Sequence, residues 1–463
     1  MATLADGLPP QRPAPFAQKA WLTVGILFLA GILSVIDRSA INLLVDPLKA
    51  DLGVTDEQIG LLQGLAFGLF YACMGIPMGM AADRFSRRNL IAFGVTIWSL
   101  ATIWSGLASS FGELFTARLL VGFGEAALSP AAISLIADLF RPERRGRPIA
   151  VFMTGQGLAN GLAISITGVI LTAAATGAFT GLPVIGGLAP WRLAFLLFGS
   201  AGLVVATTLL ILTREPVRLN ATMLAGGSGL RRAPGADEAR YFWRNRAVLA
   251  PLYFGFAICF TVAYGAGAWA PTMLMRVYGV NPGFLAAWLG PMAMAFSAVG
   301  PLIGGTLLDR SMRAGKPMAR LSILMFAPLF AIPSVLAVMA GEQHLAAFLV
   351  ASSAAVFSVI GTVMLATLQS VVPPHMRGSA ISLTLVLNTL LGAALGPVLV
   401  ASLTQRVLGD DAQVGWAIVI VCLPCLLIAS ALYALARRRM RAALDQGTGE
   451  CARLLTAEAV GRN

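Results

Sequence analysis

Four ionisable side chains fall inside stretches that are otherwise apolar. Asp37 and Arg38 sit side by side in GILSVIDRSAINLLV, residues 31–45, and Arg118 and Glu125 lie seven residues apart within residues 112–139. A charge at the centre of a bilayer costs at least about 2.5–3.5 kcal/mol on insertion scales, and such residues pair with one another or face a wet cavity. Two acids and two arginines balance to zero. The acids can take up and release a proton, whereas the arginines can hold an anionic group or the deprotonated acids. Asp37 and Glu125 are therefore the candidate proton-coupling residues, and Arg38 and Arg118 candidate substrate-binding ones.

Seven residues is two helical turns, so Arg118 and Glu125 share one face of a helix. At 1.5 Å per residue Glu125 lies roughly 20 Å along its helix from Gly112, and Asp37 about 25 Å along the first helix. Either Asp37 with Arg118 or Arg38 with Glu125 is then within reach, if the two helices face each other. A carboxyl group loses its preference for the charged form on desolvation and regains it beside an arginine. A cavity that opens first to one side and then to the other changes both effects, which couples protonation to movement. The alternative for the same residues is a fixed network that holds the helices together.

Positioning these groups takes a membrane fold. The chain has 463 residues, of which 57% are hydrophobic and 12% charged, against about 25% charged in soluble domains. A spanning helix needs about 20 apolar residues. Twelve such runs cover 20–45, 58–81, 89–108, 112–139, 147–176, 190–213, 247–276, 283–308, 319–340, 345–372, 378–405 and 413–436. The fold class expected is an all-α membrane protein with twelve transmembrane helices. They form two six-helix halves, 20–213 and 247–437, with both termini cytoplasmic. Residues 1–19 read as a disordered N-terminal tail without the marks of a signal peptide. Residues 214–246, with Gly-Gly-Ser-Gly and seven arginines, read as a cytoplasmic linker, and 438–463 as a cytoplasmic tail.

The net charge is +12, and its placement explains it. With the N-terminus inside, 27 of the 33 Lys and Arg residues fall on that side. Lys49, Arg192, Arg276 and Arg406 fall on the other, and Arg38 and Arg118 are embedded. This is the positive-inside asymmetry of membrane proteins, and it removes the need for a nucleic-acid partner. The preference for Arg over Lys points to a high-GC bacterium, and the location expected is a bacterial inner membrane. Cys422 and Cys425 have redox or metal spacing but lie in an apolar span, where they read as packing. His344 and His375 fall in loops. Without a nucleophile–base pair or metal ligands at membrane depth, an enzyme is not expected, nor a metal or any cofactor beyond a coupling proton.

An internal repeat relates the halves. GMAADRFSRR places Gly79, Asp83, Arg84 and Arg87 at the same offsets as Gly305, Asp309, Arg310 and Arg313 in GTLLDRSMR. Pro142, Arg145 and Gly146 after the fourth run recur as Pro374, Arg377 and Gly378 after the tenth. Order and membrane side are both kept, so the halves are parallel copies, an arrangement in which substrate binds near the midplane between them.

GMAADRFSRR, and Arg118 with the Gly122–Gly124 segment, resemble the two signatures of the major facilitator superfamily. Asp37-Arg38 and VGFGEAALSPAAISLIADLF resemble its spinster branch, linked to export of lysolipids and sphingoid phosphates. RPERRGRPIAVFMTGQG also resembles the anion:cation symporter branch, which takes up organic acids. TGQGLANGLAISITG, residues 154–168, lacks the Gly-Pro-x-x-x-Gly-Gly-like signature of drug–proton antiporters. The resemblance implies alternating access by a monomer. It also implies a cytoplasmic gate at Gly79, Asp83, Arg84 and Arg87 that latches the second helix to the eleventh in the outward-open state, with Asp309 and Arg310 as a weaker copy. Asp138 begins a basic cluster and is a candidate to pair with Arg145 across that gate.

The second half is different. Away from the ends, its spans carry no acid or base, and its candidate substrate-binding residues are Tyr264, Trp269, Gln369 and Asn388 amid Phe, Met and Leu. A cavity charged on one wall and greasy on the other suits an amphipathic anion. The function expected is proton-coupled transport of such an anion, lysolipid- or sphingoid-phosphate-like. The alternative is a symporter importing a small organic anion.

Overall fold

The computed structural model describes residues 14–141, 144–181, 186–216, 236–316, 318–446, 451 and 454–455. Twelve helices among them are long and apolar enough to cross a membrane. They are α1 (Lys19–Leu43), α2 (Asp56–Arg84), α3 (Arg87–Leu107), α4 (Phe111–Leu139), α5 (Gly146–Ala175) and α6 (Pro190–Leu212) in the first half. In the second they are α7 (Arg246–Tyr278), α8 (Pro282–Arg313), α9 (Ala319–Met339), α10 (Gln343–Val371), α11 (Arg377–Leu408) and α12 (Asp411–Asp445).

Polar side chains set the helix starts. Ser86 accepts from the Asn89 N–H at the head of α3, and Ser110 from the Glu113 N–H at the head of α4, each satisfying a donor that the first turn leaves open. At the other end of α7 the chain turns through Gly279 at φ +65°, a left-handed conformation that glycine adopts without penalty.

Three segments depart from the sequence expectation. The helix of α1 begins at Ala14, inside the stretch read as a tail, whose first 13 residues lie outside the described ones. A helix, Ala236–Arg244, occupies the end of the expected linker, of which 217–235 lie outside the described residues. α12 runs on to Asp445, and beyond it Cys451 and Leu455 are buried against Tyr241 and Val371. Apolar residues in short polar segments here find a face of the second half to cover.

Within the first half α1 packs on α5, α3 on α6 and α2 on α4; within the second, α7 packs on α12 and α8 on α10. The halves meet along α2–α11 and α5–α8. Both seams bring backbone against backbone. A Cβ on Gly64 would lie 2.6 Å from the Ala394 carbonyl oxygen, and one on Gly161 2.5 Å from that of Gly290. Small residues permit such approach between membrane helices.

Among the described residues, every ion pair that joins the halves lies at one end of the bundle, here the acidic end. Arg276 at the end of α7 holds Asp46 and Asp56, both at 2.7 Å. Lys49 bridges Asp56, at 2.8 Å, and Asp411. Arg406 of α11 pairs with Glu57 of α2. The opposite end, carrying Arg87 and the loop basic residues, has no such cross-half pair among the described residues. The molecule is therefore closed at its acidic end.

Two helices are irregular where they matter. α4 breaks between Glu125 and Leu128, because Pro130 has no N–H to give the Ala126 carbonyl. α11 widens to a π-helix over Asn388–Ala394, a local form that is frequent at functional sites.

Candidate functional site

α1 loses its α-helical form at Ala40 and tightens to a 3₁₀ turn over Ile41–Leu43, so the carbonyls of its last turn lack full intrahelical partners. Arg118 of α4 reaches them. Its Nη2 donates to the carbonyl oxygens of Asp37 and Arg38, both at 3.2 Å, while Nη1 meets Asp37 Oδ1 at 3.1 Å. Thr102 of α3 donates to the other Asp37 oxygen. The pair is sealed, with Asp37 2% and Arg118 1% exposed, and the Phe195 ring of α6 lies 5.6 Å from the guanidinium. Of the two pairings open to the sequence, this one forms.

The other does not. Arg38 turns its guanidinium over the ring of Phe67 on α2, 5.0 Å from the centroid, and Phe67 stacks on Tyr71 at 5.1 Å. Among the described residues no carboxylate is within ion-pair distance of Arg38. Glu125 takes a hydrogen bond from Ser34 at 2.7 Å on Oε2, and its Oε1 is buried without a partner. The Tyr71 hydroxyl faces Ser129, within electrostatic reach of Arg38, Glu125 and, across the seam, Tyr264.

On the second-half wall, Tyr264 and Asn388 are half-buried. Asn388 sits at the start of the π segment with its Oδ1 buried and unpartnered. Two other expected members of this wall are elsewhere. Trp269 is fully buried and donates Nε1 to the Pro397 carbonyl oxygen at 3.0 Å. It struts α7 to α11, its one donor bonded to a carbonyl of the facing helix. Gln369 is exposed in the last turn of α10, at the basic end rather than near the midplane.

At the basic end Arg87 is buried and pairs with Asp138 of α4 and, at 2.8 Å, with Glu215 beyond α6. Asp138 thus takes Arg87 rather than Arg145, whose Nε donates to the Phe140 carbonyl oxygen at 3.1 Å. Glu215 also accepts from the Arg88 N–H at 2.8 Å and the Ser86 hydroxyl at 3.0 Å. Burial works against its ionisation, but the Arg88 N–H and the Arg87 guanidinium outweigh it and hold the carboxyl below the usual glutamate range. Asp83, Arg84, Asp309 and Arg310 are exposed at the ends of α2 and α8, and Gly79 is half-buried one turn earlier. The second half repeats the clamp with different chemistry: buried Arg320 of α9 reaches Ser370, next to last in α10, as Arg87 reaches Asp138, next to last in α4.

The sequence model of the Major Facilitator Superfamily matches residues 27–397. The chain belongs to the major facilitator superfamily. It is 30% identical to an MFS-type efflux pump of Mycolicibacterium smegmatis over 431 residues, 92% of this chain and 94% of that protein. To a probable L-galactonate transporter of Escherichia coli it is 28% identical over 66% of this chain and 65% of that one. The crystal structure of a bacterial homolog of the human lysosomal transporter spinster, inward-facing and unoccupied, superposes with a TM-score of 0.78 at 27% identity. That match covers 92% of this chain and 98% of the other. As a major facilitator protein this chain is a transporter rather than an enzyme.

Several residues of this facilitator's site escape sequence reading. Ser34 lies one turn before Arg38, a spacing that could have flagged it. Phe67 and Tyr71 share a face of α2 by their i, i+4 spacing, yet aromatics in an apolar helix signal packing first. Thr102 and Gln63 carry no sequence signal. Gln63 donates to the Ala268 carbonyl oxygen across the seam at 3.4 Å and leaves Oε1 buried and unpartnered.

Proposed function

We propose that this chain is a proton-coupled secondary active transporter of an amphipathic anionic substrate, lysolipid- or sphingoid-phosphate-like, working by alternating access. The observation that carries the reading is the half-satisfied Glu125 near Arg38, which has no carboxylate partner among the described residues. A buried polar atom without a hydrogen bond costs about 1–3 kcal/mol, so the Glu125 oxygen is a place for a proton or a substrate donor. Arg38, stacked on Phe67, keeps its guanidinium edge for an anion, and that edge suits carboxylate or phosphate. Asp37, already neutralised by Arg118, is the second proton-coupling group.

The opposite wall suits the rest of such a substrate. Phe260, Tyr264 and Phe357 are half-buried, with Phe260 6.2 Å from each of the other two and the buried Phe256 4.4 Å behind it. Aromatic surface of this kind favours an acyl or aromatic tail, with Asn388 available for one polar group. Positive-inside placement makes the basic end cytoplasmic, with both termini there, in a bacterial inner membrane. The conformation closed at the acidic end is then inward-facing, and the likeness to the inward-facing spinster homolog supports this. Gly79, Asp83 and Arg84, with Arg87 held by Asp138 and Glu215, would form the cytoplasmic latch of the opposite state. Asp309 and Arg310 would be its weaker copy. The transporter is expected to act as a monomer, with the bilayer and its substrate as its partners.

The test is flux of labelled lysophospholipid and of sphingoid phosphate in proteoliposomes with an imposed pH gradient. Gradient-driven movement of either supports the reading; movement of neither, in a preparation that transports small organic acids, contradicts it. That outcome would favour the second reading, import of a small organic anion on the same arginines, which the likeness to the probable L-galactonate transporter supports.

A further inference from the structure

Thr102, in α3, is fully buried and has two acceptors for one hydrogen. Its hydroxyl bonds Asp37 Oδ2 on α1, and the same Oγ1 lies 2.9 Å from the Trp98 carbonyl oxygen one turn earlier in its own helix. A threonine hydroxyl has one O–H and two acceptor lone pairs, so it donates to one of these at a time. Bonding to the carbonyl four residues back is common for threonine in helices, and Thr172, Thr207 and Thr208 do only that. Thr102 also faces a carboxylate.

The two acceptors match the two states of an acid. With Asp37 ionised, Thr102 donates to it. With a proton on Oδ2, the new O–H donates to Thr102 Oγ1, and the threonine hydrogen turns to the Trp98 carbonyl. One O–H bond forms on Asp37, none breaks on Thr102, and no heavy atom moves. Arg118 still donates to the Asp37 and Arg38 carbonyl oxygens, so it too keeps partners when the acid is neutral. The charged and titratable groups facing Asp37 are Arg118 and, more distantly, Glu125 from α4, with Arg38 beside it on α1; α3 contributes Thr102, and α6 contributes the uncharged Phe195 behind Arg118.

We infer that Thr102 is a positioning residue that lets Asp37 gain and lose its proton inside a sealed site with Asp37 Oδ2 and the Thr102 hydroxyl hydrogen-bonded in either state. The inference rests on the reading of Asp37 as a proton carrier. It adds that the carrier is served by a hydroxyl rotor on a neighbouring helix.

The test needs no substrate, since the proton itself is the probe. The full-length protein in lipid is titrated by infrared spectroscopy on its carboxyl C=O bands, and the Asp37 band is identified by its loss in Asp37→Asn. Thr102→Val keeps the volume and removes the stronger bond to the ionised acid together with the weaker one to the neutral acid, so the band's midpoint moves up by about one pH unit. Thr102→Ala gives the same shift should the valine variant fold poorly, and Thr102→Ser, which keeps the rotor, restores the original midpoint. A residue that only packed α3 would move nothing. A midpoint unmoved in both Val and Ala variants, with the band present, overturns the role of Thr102 alone. Absence of any titrating band that Asp37→Asn removes overturns the reading of Asp37 as well.

Discussion

Arg118 and Asp37 are joined twice: by the ion pair between their side chains at 3.1 Å and by a hydrogen bond from the guanidinium to the Asp37 carbonyl oxygen at 3.2 Å. The arginine therefore neutralises a buried acid and caps the helix that carries it. Removing one partner of a buried pair costs about 3–5 kcal/mol. Arg118→Leu is expected to lower the melting temperature in detergent sharply, because it strands the acid and two carbonyls together. Asp37→Asn should cost less, since the amide and both capped carbonyls still accept from Arg118 and only the charge compensation is lost. If the two variants melt alike, the capping role is wrong.

Glu125→Gln keeps the Ser34 bond and removes the titratable oxygen. Stability is expected to change by less than about 1 kcal/mol, while the pH dependence of transport flattens. Thermal melts and flux measured across pH separate the two effects. A pH profile like that of the wild type would count against Glu125 as a coupling group.

Arg276 reaches from α7 to Asp46 and Asp56 in the other half. Asp56 has no exposed side-chain surface, so the arginine holds a buried charge only while the acidic end stays closed. Arg276→Ala should shift the population toward opening at that end by at least about tenfold, which corresponds to about 1.4 kcal/mol. Spin-label distances between residues 52 and 408 report it, lengthening in the variant. An unchanged distance distribution would show that Arg276 is not what holds the end shut.

Glu215 gives the basic end an acid-sensitive clamp. Its folded carboxyl is held below the usual range, so its contribution is present above the unfolded glutamate pKa of about 4.3 and is lost as pH falls through the lower folded value. Glu215→Gln is expected to destabilise the protein at neutral pH and to reduce the loss of stability on acidification. Melting temperatures at pH 7 and pH 3 check this. A variant that loses as much as wild type between them would contradict it.

The sequence carried the twelve spans and the halves, because apolar length and a repeated loop motif are local signals. It also carried the pair Asp37–Arg118, because helical rise puts both at one level. Arg38 and Glu125 stand at compatible levels too, yet Phe67 takes the guanidinium face and Ser34 takes the acid. That competition involves a third and a fourth residue whose types announce nothing. Trp269 and Gln369 were misread for a related reason: polarity in an apolar run says that a side chain wants a partner, not where that partner lies. Glu215 and the helix Ala236–Arg244 fall in stretches whose composition reads as linker, and the contacts of Glu215 and Tyr241 come from the tertiary structure.

The most direct measurement compares pH-gradient-driven accumulation with equilibrium exchange of the same labelled lysophospholipid, in wild type, Asp37→Asn and Glu125→Gln. If these acids couple protons to transport, the variants keep exchange but lose accumulation above the equilibrium level. Accumulation at the wild-type level in both variants would place the coupling elsewhere and contradict the account.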